Sequence, residues 1–82
     1  MKLPRDLSGT QLARSLAQFG YETTRQTGSH LRLTSTIRVR QHHVTIPRHG
    51  ALRVGTLAAI LADVATYLER DRQEIADELF RG

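Results

Sequence analysis

The apolar residues of this chain change period twice, and that constrains the fold more than any single motif. Up to Phe19 they recur at helical spacing, with Leu12, Leu16 and Phe19 flanked by Ala13 and Ala17, the stripe of an amphipathic helix. Ser8 or Asp6 can cap this helix, Gln11 stands three residues after Ser8 to complete a capping box, and Gly20 suits a left-handed stop. From Tyr21 the period becomes two. Residues 21–26 are rich in aromatic and β-branched types, Thr27-Gly28 reads as a tight turn, and over 29–34 Leu31 and Leu33 alternate with His30, Arg32 and Thr34. Residues 35–41 read as a polar connection, with Ile37 and Val39 able to lengthen the strands beside it. A third strand over 42–46 turns Val44 and Ile46 inward and His43 and Thr45 outward, and Pro47, without an N–H for the ladder, ends it.

Helical spacing returns in Leu57, Ile60, Leu61 and Val64, in a helix beginning near Thr56. Asp71-Arg72-Gln73-Glu74 reads as a further cap and capping box, opening a short helix through Ile75, Leu79 and Phe80. The stretch 67–70 has no Gly or Pro, so one bent helix is the alternative. The expected fold is α+β, a two-layer α-β-β-β-α domain with a short extra C-terminal helix. At 82 residues it is expected to form one domain over 1–82 with a small core.

The chain has no cysteine, which excludes disulfides, four-thiolate zinc sites and redox dithiols. It has no apolar run of membrane-spanning length, and no signal-peptide apolar stretch follows Met-Lys-Leu-Pro-Arg-Asp, so a soluble cytoplasmic protein with no membrane contact is expected. Charge is segregated. Nine of the twelve cations but only Asp6 and Glu22 of the eight acids precede Val54, so that segment carries +7 and the remainder −3. All four histidines lie in the basic segment and eleven of the twelve cations are arginine, the footprint of a polyanion partner recognised through bidentate phosphate contacts.

Strand alternation gathers His30, Arg32, His43 and Thr45 on one outer face. RNA carries its own nucleophile in the 2′-hydroxyl, so its cleavage needs proton removal there, charge stabilisation at phosphorus and proton delivery to the leaving oxygen. An imidazole among arginines supplies these. His30 is the expected general acid or base, Arg32 the first group on the phosphate, with Arg25, Ser29, Arg38, Arg40 and Arg48 as further RNA-binding residues. His43 and His49 are the candidates for a second acid or base. Asp6 and Glu22 fall on different elements and cannot together hold Mg²⁺, so cleavage without a metal or other cofactor is expected, leaving a 2′,3′-cyclic phosphate or its opened product. A zinc site at His42, His43 and His49 is disfavoured because adjacent strand residues face opposite sides. Taken alone, the same histidines also fit ordinary surface positions in a hairpin.

The order helix, three antiparallel strands, helix is that of the double-stranded-RNA-binding domain. The sequence resembles the HicA family of toxins in Leu7-Ser8-Gly9, in Gly20-Tyr21-Glu22, in Arg25-Gln26-Thr27-Gly28-Ser29-His30, in 43–49 (HVTIPRH) and in 52–57 (LRVGTL), ending at Ala59-Ile60-Leu61. The resemblance spans almost the whole chain in order. It implies the toxin of a type II toxin–antitoxin system, an mRNA interferase that cuts messenger RNA, inhibits translation and is neutralised by a HicB-like antitoxin. It also implies that His30, in the Gly-Ser-His segment, is the catalytic histidine. Two departures stand out: the 35–41 connection is a few residues long for the family, and Glu69 stands where a Gly is expected after the second helix.

The rival reading is a non-catalytic RNA-binding module of the same fold. Such modules dock with a basic cluster at the start of the last long helix, whereas here Thr56-Leu57-Ala58-Ala59 has none. A DNA-binding helix-turn-helix over 55–80 is disfavoured by its acidic last helix, so DNA contact is expected only indirectly through the antitoxin. An acidic antitoxin would best block the basic face, leaving the acidic tail to pack on the domain or meet a partner.

Overall fold

The computed structural model describes residues 3–80; Met1, Lys2, Arg81 and Gly82 lie outside it. Helix α1 spans Gly9–Leu16 and closes through a 3-10 turn over Ala17–Phe19, with Gly20 left-handed at φ 82°. The expected capping box is present: the Gln11 N–H donates to Ser8 Oγ (3.1 Å) and the Ser8 N–H to Gln11 Oε1 (2.9 Å). The cap is followed at once by a close approach. A Cβ on Gly9 would overlap the Pro47 carbonyl oxygen, so only glycine lets α1 start against the end of the sheet. The same corner is tied by the Leu52 N–H donating to the Leu7 carbonyl (2.7 Å).

The strands β1 (Tyr21–Gln26), β2 (His30–Ser35) and β3 (His42–Pro47) form one antiparallel sheet in that order. Ile37 and Val39 do not extend it; they stand exposed in the β2–β3 loop. Helix α2 runs Val54–Leu68, starting before the apolar stripe, and α3 runs Arg72–Phe80. The two are separate helices. Glu69 is left-handed at φ 55°, and the Arg70 N–H reaches back to the Ala65 carbonyl (3.0 Å), which closes α2 in the manner usually left to glycine. Asp71 then caps α3 by accepting from the Gln73 and Glu74 N–H groups, while the Glu74 carboxylate pairs with Arg70 rather than completing a box.

The helices cover one face of the sheet. Leu12, Leu16 and Phe19 pack with Tyr21, Leu33, Val44 and Ile46 of the strands, Leu57, Leu61 and Val64 of α2, and Ile75 and Leu79 of α3 in a continuous buried cluster. Each such side chain contributes about 1.5–3 kcal/mol. The two-layer α+β architecture leaves the other sheet face bare. No helix among the described residues is long and apolar enough to cross a membrane.

Candidate nucleic-acid interface

The ladder arranges the bare face in rows. His30 stands beside Pro47 at the end where β1 turns into β2; next come Arg25, Arg32 and Thr45; then Glu22, Thr34 and His43. Rows two residues apart are separated by about 7 Å at 3.3–3.4 Å per residue. Arg25 joins this face because of a bulge. Thr23 pairs with Leu33 and Arg25 with Arg32, so Thr24 is the extra residue and the alternation of β1 reverses there. Simple alternation from buried Tyr21 would have turned Arg25 toward the helices.

His30 is set by its turn. The Thr27 hydroxyl accepts from the N–H groups of Ser29 (3.3 Å) and His30 (3.0 Å), and the Thr27 N–H donates to the His30 carbonyl (2.9 Å). Ser29 Oγ lies 3.0 Å from His30 Nδ1. A hydroxyl both donates and accepts, so Ser29 can partner either protonation state of the ring while Nε2 is left for solvent. The segment after β3 closes over the same turn: the Arg48 N–H donates to the Ser29 carbonyl (2.9 Å), Arg48 Nη1 to the Thr27 carbonyl (3.4 Å), and His49 Nε2 to the Gly28 carbonyl.

The expected site residues thus divide. Ser29, His30, Arg48 and His49 gather at the β1–β2 turn, with Arg25 and Arg32 one row away. His43 shares the face but lies four ladder positions from His30, about 13 Å along the strand. Arg38 and Arg40 are in the β2–β3 loop at the opposite end of β2, where Arg38 is paired with Glu69. They are not brought together with His30.

Two hydrogen-bonded networks join residues that the sequence reading left apart. On the bare face Thr34 Oγ1 lies 2.7 Å from His43 Nδ1 and 2.8 Å from Thr24 Oγ1. On the helix side, Tyr21 Oη is 2.6 Å from His42 Nδ1, and His42 Nε2 is 3.2 Å from Asp63 Oδ1. Burial first, then Tyr67 and Asp63, push the Tyr21 phenol above its ordinary range, so it stays protonated and donates to His42. His42 stacks on Tyr67 with ring centroids 4.7 Å apart. The Tyr67 hydroxyl accepts from the Arg38 N–H (3.0 Å) and donates to the Arg40 carbonyl (2.6 Å). This cluster clamps the β2–β3 loop to α2 beside a cleft of about 500 Å³. The signal for it was the shared parity of His42, Val44 and Ile46. Among the described residues no group of three or more His, Cys, Asp and Glu is placed to hold a metal ion.

A family model described as the HicA toxin of bacterial toxin–antitoxin systems matches residues 9–65. The match runs from the first residue of α1 through most of α2 and takes in the whole sheet and the turn that carries His30. No curated protein and no solved structure matches the chain.

Proposed function

Because the chain belongs to the HicA family of toxin–antitoxin toxins, we propose that it is an endoribonuclease that cuts messenger RNA in the cytoplasm and is neutralised by a HicB-like antitoxin. The observation that carries this reading is His30 itself. It is an exposed imidazole backed by the Ser29 hydroxyl, with Arg25 and Arg32 about 7 Å along the same face.

His30 Nε2 takes the proton of the 2′-hydroxyl as that oxygen attacks phosphorus, and Ser29 accepts from Nδ1–H to hold the ring. Arg32 and Arg25 stabilise the charge that grows on the phosphate oxygens. The P–O5′ bond breaks and O5′ receives a proton, leaving a 2′,3′-cyclic phosphate. His49 is the second proton-transfer group we assign. It lies against the same turn with Nδ1 free, whereas His43 is too far along the strand to serve the same phosphodiester. Arg48 steadies the turn. These groups meet every requirement of the reaction, and no step is assigned to a metal. The antitoxin, on this reading, covers the cationic face.

Antitoxin-free protein incubated with end-labelled single-stranded RNA in EDTA is expected to produce cyclic-phosphate ends, and His30→Ala to produce them about 10²–10⁴-fold more slowly while retaining its circular dichroism spectrum. Binding without cleavage by the unmodified protein would leave a non-catalytic RNA-binding module.

A further inference from the structure

The hydroxyl pair beside His43 orients the ring that meets solvent. Thr24 Oγ1 is 3.4 Å from the Arg32 carbonyl, which can only accept. Thr24 has one proton, and donating it there leaves its oxygen to accept from Thr34 (2.8 Å). Thr34, its own proton spent, accepts from His43 Nδ1–H (2.7 Å). The relay ends with the Nδ1–H of His43, which turns Nε2 of the exposed ring toward solvent.

The bulge at Thr24 brings Arg25 to the same face as this relay. Without the extra residue, strand alternation would turn Thr24 and Arg25 to opposite faces; with it, both stand opposite Arg32 on the bare face. Thr34 is nearly buried at 9% exposure, so the relay is anchored in the sheet rather than floating on it. A hydroxyl network built behind an exposed ring nitrogen orients that nitrogen for a ligand.

We propose that His43, held by Thr34 and Thr24, is a specificity subsite that reads the base of a nucleotide flanking the cleaved phosphodiester through an N–H donor on that base. The proposal rests on the reading of this face as an RNA interface. A single strand lying along β2 with its reactive phosphate between His30 and the Arg25–Arg32 row has a neighbouring nucleotide over the Thr34–His43 row. Single-stranded RNA offers splayed bases whose edges are read in this way. A bare imidazole nitrogen favours an edge with an amino or imino donor at that point and leaves an edge presenting only acceptors without a partner.

The test uses the full chain carrying His30→Ala, so that RNA is bound without turnover, and a pool of randomised short single-stranded RNAs. Sequencing the bound fraction is expected to show enrichment of particular bases at one position. Adding His43→Phe, which keeps a ring and removes the acceptor, is expected to reduce that enrichment roughly fivefold or more. Adding Thr34→Val, which cuts the relay with little change of shape, is expected to reduce it in the same direction. The dependence of overall affinity on salt should stay the same in all three, since no phosphate contact is removed. Unchanged enrichment in His43→Phe, or a uniform loss of affinity with a shallower salt slope, overturns the proposal. So does binding by the His30→Ala protein with no positional preference. Retained enrichment beside an unmodified protein that does not cut the same pool would sink the nuclease reading alone, and no binding at all would sink both.

Discussion

His42 and His43 are adjacent in the chain and could hardly differ more in surroundings. His42 lies between the sheet and α2, both ring nitrogens engaged by Tyr21 and Asp63 and its face stacked on Tyr67. His43, one residue on, stands on the bare face with Nδ1 on Thr34 and Nε2 in solvent. Strand alternation alone separates them. A histidine with both nitrogens satisfied inside the fold holds elements together; one with a nitrogen left over can act on something else. By that test His42 belongs to stability, while His30 and His43 belong to the surface proposed to meet RNA.

The sharpest way to break this comparison is to delete one ring from each region. His30→Ala is expected to lower the cleavage rate by about 10²–10⁴-fold, the usual range for one general acid–base group, with no change in the denaturant midpoint. His42→Ala is expected to do the reverse. It leaves the Tyr21 hydroxyl in a nearly buried setting (2% exposed) without its acceptor, which costs about 1–3 kcal/mol, while cleavage per folded molecule is retained. A His42 variant of full stability and no activity would make the two-region division wrong.

Much of this division was legible in the chain. Leu31 and Leu33 put His30 and Arg32 outward, and Val44 and Ile46 put His43 outward and His42 with the core, because a strand has a period of two whatever it packs against. The same rule failed at β1. The extra residue at Thr24 has no mark in the sequence, yet it reverses the strand and moves Arg25 to the face of His30, beside the Thr24–Thr34–His43 relay. Arg38 and Arg40 look close to Arg32 on paper, but β2 carries them away to the far end of the sheet. Nor did alternation of Ile37 and Val39 with arginines produce a strand. The Tyr67 hydroxyl holds that segment as a loop through the Arg38 N–H and the Arg40 carbonyl, a contact between residues nearly thirty positions apart that no local pattern encodes.

Gly9 is where the two regions meet, and its substitution should blur them. A Cβ at this position overlaps the Pro47 carbonyl oxygen and crowds the Ile46 side chain, and Pro47 is the residue directly across from His30. Gly9→Ala is therefore expected to lose about 1–3 kcal/mol, the usual cost of overpacking, and to lower cleavage as well, read by unfolding and cleavage assays on the same sample. Gly28→Ala is the control. Nothing lies near the space a methyl would fill there and its φ is not positive, so the fold should be unaffected.

A smaller effect distinguishes the clamp by pH. The Tyr21 phenol is raised above its ordinary value chiefly by burial, with Tyr67 and Asp63 adding to it. Its contribution is fully present below the unfolded phenol pKa of about 10. Above that the unfolded chain ionises while the folded one does not, and stability falls as pH rises toward the folded value. Thermal melts between pH 9 and about 11 should show this decline, and Tyr21→Phe, though less stable at neutral pH, should show less of it. Equal alkaline sensitivity in the two proteins would assign the decline to other groups.

The smallest expected change concerns Glu69, which holds at φ 55° the left-handed backbone that glycine usually takes at a helix end. A non-glycine residue in the left-handed region costs about 1–2 kcal/mol, so Glu69→Gly removes a strain. It also removes the carboxylate that pairs with Arg38. Both partners are largely exposed, at 46% and 70% for the side chains, and an exposed pair of this kind contributes about 0–1 kcal/mol. The strain is the larger of the two, and the variant is expected to gain about 0–2 kcal/mol. Glu69→Gln separates them, since it keeps the strain and loses the charge, and is expected to be slightly destabilised at low salt and neutral at high salt. Neither change touches the bare face, so cleavage at His30 should be the same in both. If Glu69→Gly proves less stable than the parent, the tie from Arg38 to the end of α2 outweighs the strained backbone, and the β2–β3 loop counts for more in the fold than its exposure suggests.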